Sequence, residues 1–133
     1  MPQTMHIKPQ KGHLHVEVSG TFDESKAQEF IQQILKATDQ HRIFKVLVDI
    51  RDIKGPISTT SRFSLAKFLA TQWTSHMQMA VVESPGQVEE PRFFENVAIN
   101  RGSLVKVFTT STDEALEWLE SGPAKKPDAG DGL

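Results

Sequence analysis

The chain has 133 residues, no cysteine, and 15 Lys plus Arg against 17 Asp plus Glu, for a formal charge of -2. That length fits one domain, which buries roughly two-thirds of the surface its unfolded chain exposes. Without cysteine there are no disulfides, thiolate nucleophiles or cysteine-based metal centres, and the even spread of charge excludes the concentrated positive surface that nucleic acid requires.

The opening stretch MPQTMHIKPQKGH has no apolar signal region, and no later stretch has the length needed to span a bilayer. A cytoplasmic location without integral membrane insertion is expected. Thr4 to Pro9 and His13 to Ser19 are two short extended segments around Gln10-Lys11-Gly12, the pattern of a hairpin with glycine at its turn. The second segment alternates, with Leu14, Val16 and Val18 on one face and His13, His15 and Glu17 on the other.

From Gly20 the period becomes helical, through Ala27, Phe30, Ile31, Ile34, Leu35 and Thr38, and Thr21-x-x-Glu24 reads as a capping box at the start. The helix is expected to end near Asp39 to Arg42. Phe44 to Ile50 follows as a near-continuous apolar run, the pattern of a strand buried on both faces. Arg51 to Ser61 reads as a loop through its Gly-Pro and its hydroxyl residues, and a second helix is expected over about Arg62 to Trp73, with Phe63, Leu65, Ala66, Leu69 and Trp73 inward.

Met77 to Val82 is the next buried strand, followed by a loop over Glu83 to Glu90. Pro91 suits the first turn of a third helix, with Phe93, Phe94, Val97 and Ala98 as its apolar stripe and Gly102 as its C-cap. Leu104 to Phe108 is the last strand, and Ser111-x-x-Glu114 opens a short helix with Ala115, Leu116, Trp118 and Leu119. Residues 121–133 are too polar and too rich in Pro and Gly to join a core, so they read as a disordered tail after a domain over residues 1–120.

The order is therefore that of one α/β domain. A mixed sheet of about five strands is expected, an N-terminal antiparallel hairpin plus parallel strands, with about four helices. Ligands in such sheets sit beyond the carboxyl ends of the parallel strands, which directs attention to Asp49 to Ser61, Glu83 to Glu90 and Thr109 to Thr112.

Taken in order, VEVSGTFD, KVLVDIRDIKGPISTTSRF, MQMAVVES, FFENVAINRG and VKVFTTSTDEALEWLE resemble the SpoIIAA-like branch of the STAS superfamily, from about Leu14 to Leu119. The resemblance implies a small α/β module used in regulation, as in antagonists of anti-sigma factors. The branch is also grouped with lipid-carrying CRAL-TRIO-type domains, and no catalytic residue set comes with it. In the bacterial antagonists, a serine in an Asp-Ser-x-Gly setting at a helix start is phosphorylated by a partner kinase. The matching segment here is Ser58-Thr59-Thr60-Ser61, which makes Ser58 and Thr59 the candidate phosphosites, although it has no Asp before the hydroxyls and no Gly after them.

The hydroxyl cluster has two readings. One of Ser58, Thr59, Thr60 and Ser61 must cap the helix that follows. The positive helix end could also hold a phosphate, assisted by Arg62 and Lys54. Asp49, Arg51 and Asp52 gather at the end of a buried strand, where carboxylates could do acid–base work or hold Mg²⁺. The structural alternative is that Asp49 accepts bonds from loop amides while Arg51 neutralises a neighbour.

His13 and His15 form a His-x-His pair that can chelate a metal, a reading His6 would strengthen if the hairpin places it beside them. Such pairs also arise on any solvated amphipathic strand, so no metal or other cofactor is expected. Phe68 falls off its helical stripe, and Phe93 and Phe94 cannot both face the sheet. These aromatics either pack the core, line an apolar pocket or form a contact surface, a homodimer among the options. The expected function is a non-catalytic regulatory or ligand-binding module, with a protein partner favoured. Carriage of a lipid or other small apolar ligand is the alternative, and an enzyme with an unrecognised site comes third.

Overall fold

A computed structural model of the chain describes residues 2–55, 57–72, 77–84, 105–109 and 111–121. Two antiparallel strands open it, β1 (Thr4–Pro9) and β2 (Leu14–Thr21). Helix α1 (Glu24–His41), strand β3 (Lys45–Lys54), helix α2 (Thr59–Gln72), strands β4 (Gln78–Val82) and β5 (Val105–Phe108), and helix α3 (Thr112–Ser121) follow. The expected helix around Pro91 to Gly102, with Phe93 and Phe94, lies outside the described residues, as do Trp73 and the tail beyond Ser121. Three helices are therefore seen among the described residues, against about four expected.

The five strands form one sheet in the order β1-β2-β3-β4-β5. Every pairing from β2 onward is parallel, as the strand–helix–strand alternation predicts. Alternation then sorts the side chains onto two faces. Leu14, Val16 and Val18 of β2, Val46 and Val48 of β3, and Met79 and Val81 of β4 pack with Ile34 and Ala37 of α1 and Leu69 of α2. Leu47, Ala80, Val82 and Phe108 point the other way and pack against Ala115 and Leu119 of α3.

Three boundaries differ from the sequence reading. Thr21 does not cap α1: it is the last residue of β2, paired with Lys54, and the cap is Asp23, whose carboxylate accepts from the Lys26 amide at 3.1 Å. Gly20 permits this extension, because its φ of +100° suits glycine and because a Cβ there would overlap the backbone of Pro2 and Gln3. Strand β3 also runs on to Lys54 rather than stopping at Ile50, after a register shift between Glu17 and Ser19 of β2 that sets Asp52 opposite Ser19. Helix α2 in turn begins at Thr59, a turn earlier than Arg62.

Helix α1 closes at Arg42, which sits in the left-handed region at φ 57° and donates its amide to the Thr38 carbonyl. On the opposite strand edge, the Gln3 side-chain carbonyl accepts from the Asp23 amide at 2.7 Å, fixing the N-terminal residues over the start of α1.

Candidate functional site

In a parallel sheet each helix starts where the preceding strand ends, so the caps of α1, α2 and α3 all lie along the carboxyl edge. Asp23 caps α1 and Ser111 caps α3, the latter accepting from the Glu114 amide at 3.3 Å. At α2 the cap is Ser58: its Oγ accepts from the Ser61 amide at 3.1 Å, and its carbonyl accepts from the Arg62 amide at 3.0 Å. Thr59, Thr60 and Ser61 form the first turn, with Thr60 exposed. The Ser61 hydroxyl donates to Glu24 at 2.8 Å, tying the first turn of α2 to that of α1.

Arg62 is not available to that helix end. Its guanidinium turns inward and meets Glu83 at 3.0 Å, with the two side chains only 8% and 1% exposed. Phe63, expected inward, is instead 38% exposed, with the Lys67 ammonium 5.2 Å from its ring centre. The two corrections are one event. Arg62, Leu65, Ala66 and Leu69 fall at i, i+3, i+4 and i+7 on one stripe, and Phe63 lies off it. Glu83 follows from strand alternation, since it continues the parity of Met79 and Val81 and was hidden by being assigned to a loop. Phe68 is half-buried.

On the other sheet face Asp49 is gripped by one neighbour. The Arg51 backbone amide and Nε both donate to Oδ1 at 3.0 Å, and Nη2 donates to Oδ2 at 2.7 Å. Burial pushes the Asp49 carboxyl up, but the hydrogen bonds and charge of Arg51, with a smaller contribution from His15, outweigh it and hold the group below its usual range. A carboxylate so held is a weak base. Asp52 is exposed one residue beyond Arg51.

The hairpin register places Lys8 opposite His15 and His6 opposite Glu17, so an ammonium rather than a third imidazole stands beside the pair. Glu17 contacts both His15, at 3.4 Å, and Lys8, at 3.9 Å. Among the described residues no group of three or more His, Asp or Glu side chains is placed to hold a metal ion. No described helix is long and apolar enough to cross a membrane.

The sheet order and the helices on both faces define a STAS-type α/β domain. A family profile described as SpoIIAA-like matches residues 13–120, and the chain belongs to that family. Two solved structures share the fold. An anti-sigma factor antagonist from Mycobacterium paratuberculosis superposes with a TM-score of 0.60 at 17% identity, covering 90% of this chain and 95% of that one. The protein TM1081 superposes with a TM-score of 0.54 at 17% identity, covering 86% of each chain. No curated protein matches the sequence significantly.

Proposed function

We propose that the protein is a non-catalytic regulatory module that binds another protein through the carboxyl edge of its sheet, centred on the start of α2. The observation that carries this reading is the juxtaposition at that edge of an exposed first helical turn with an exposed aromatic on the same helix. Ser58 caps, Thr60 is exposed, and Phe63 offers a solvent-facing ring beneath Lys67. Family membership supports it, as does the likeness to an anti-sigma factor antagonist, whose partner class is carried over here as part of the proposal.

A covalent phosphate on Ser58 would lie at the positive N-terminal end of α2. It would switch docking by changing charge at the contact. A protein without catalysis also agrees with the locked state of Asp49, whose two oxygens are occupied by Arg51.

The test is reconstitution with the host's anti-sigma-factor-type kinases, purified singly. Binding by one of them, lost in Phe63→Asp and reduced when Ser58 or Thr59 is phosphorylated, is the expected result. A reaction turned over by the pure protein and abolished in a folded Asp49→Asn variant would overturn the proposal.

A further inference from the structure

The amino edge of the sheet, opposite the edge proposed for docking, holds a pocket of about 180 Å³. Leu116, Leu119 and Glu120 of α3 line it from one side, and Lys11 of the β1–β2 turn, His13 and Lys45 from the other. His15 pairs with Leu47, which packs against α3, so His13 and Lys45, one alternation earlier on each strand, share that side of the sheet. A cavity of about 150 Å³ holds a benzene ring, so the space admits a small molecule with a branched or aromatic body.

Its lining is divided by chemistry. Leu119 is buried and Leu116 half-buried, which supplies an apolar floor. Around that floor stand charges of both signs. The ammonium groups of Lys11 and Lys45 and the carboxylate of Glu120 make no salt bridge or hydrogen bond among the described residues. The last turn of α3 adds the negative end of the helix dipole on the side of Glu120. His13 belongs to neither pole: burial and His15 lower its affinity for a proton, with Glu120 opposing them, so it is a neutral imidazole near neutral pH.

A simple anion would suit the lysines but be repelled by Glu120 and the helix end. A simple cation would suit those two and be repelled by the lysines. A molecule that carries both charges on a short spacer, with an apolar group beside them, meets every part of the lining.

We propose that this pocket binds a free α-amino acid with a branched or aromatic apolar side chain, its carboxylate toward Lys11 and Lys45 and its ammonium toward Glu120 and the end of α3. The inference goes beyond protein docking at the carboxyl edge and stands independently of it, because the two sites share no residue.

The test titrates leucine into the full chain beside two probes that each lack one pole, isocaproate without the ammonium and isoamylamine without the carboxylate. Methyl NMR at Leu116 and Leu119 reports occupancy. Leucine should bind more tightly than either probe, by roughly fivefold, the upper range for one exposed ion pair. Glu120→Gln should abolish the preference over isocaproate, and Lys11→Gln should narrow the preference over isoamylamine. Both side chains are exposed, so neither change should disturb the fold. Should a variant nevertheless not fold, the probe series in the unaltered protein still decides the matter. No shift of either leucine methyl at millimolar leucine, binding of isocaproate or isoamylamine as tight as that of leucine, or an unchanged preference over isocaproate in folded Glu120→Gln would each overturn the proposal.

Discussion

Arg62 of α2 and Glu83 beyond β4 form an ion pair 3.0 Å long in the protein interior, linking the helix that follows β3 to the strand that follows that helix. Each of these two buried charges helps to repay the desolvation of the other, so their removal one at a time and together has different consequences. Arg62→Met and Glu83→Leu should each lower stability by about 3–5 kcal/mol, because each strands a buried charge. The double variant should lose less than either single one. Urea denaturation of the three proteins provides the comparison, and a double variant whose loss equals the sum of the singles would mean the pair is not coupled.

The cap at α2 gives a second expectation. Ser58→Ala removes the acceptor of the Ser61 amide and should cost about 1 kcal/mol, while Ser58→Asp keeps an acceptor there and adds a charge of the sign that the helix start favours. Stability should therefore return in the aspartate variant, as read from the urea midpoint.

Gly20 carries a third. Alanine at φ +100° is strained by about 1–3 kcal/mol, and its Cβ would overlap the Pro2 carbonyl. Gly20→Ala should destabilise the fold and displace the N-terminal residues with it. Hydrogen exchange at the Asp23 amide, which donates to Gln3, should then accelerate out of proportion to the global loss.

Acidification should act in two separate windows. Burial, helped by the charge of His15 and partly opposed by Glu120, lowers the affinity of His13 for a proton below that of a free histidine at 6.5. The unfolded chain then binds more protons, so this contribution is complete above pH 6.5 and is lost as pH falls through the lowered value. Asp49 is depressed below 3.8, so its contribution persists above that pH and disappears only as pH falls further. His13→Gln should flatten the upper window of the stability profile and Arg51→Ala the lower one, with the Asp49 carboxyl moving upward in a carbon NMR titration.

The fold was legible wherever burial imposed a period. Leu14, Val16 and Val18 alternate because one face of β2 is covered by helices, and VLV at Val46 to Val48 is continuous because β3 is covered on both faces. What misled was local chemistry overruled by pairing. Thr21 and Glu24 have the spacing of a capping box, but the amide and carbonyl of Thr21 belong to a strand that pairs with β3, and Asp23 has the better-placed carboxylate.

At the candidate site the local hydrogen bonding was legible in part: a hydroxyl, Ser58, caps α2, and Asp49 accepts from the Arg51 amide and side chain, the structural reading of that cluster. The buried pair was not found, because Arg62 and Glu83 look like surface residues until the inward stripe through Leu65 and Leu69 and the parity of Met79 and Val81 are extended by one step each. Phe63 is exposed for the same reason: it is Arg62, and not the more apolar Phe63, that stands at helical spacing from Leu65, Ala66 and Leu69.

The spatial order of the strands is also their order of synthesis. Each strand that emerges from a ribosome thus finds its template already present: β2 folds back on β1, β3 adds beside β2, and β4 adds beside β3. No strand has to wait for a later one, or to insert between two that are already paired, before its backbone groups find partners on one side. Growth of this kind keeps the contacts of the sheet short in sequence, and at each stage the newest strand and β1 are the two edges.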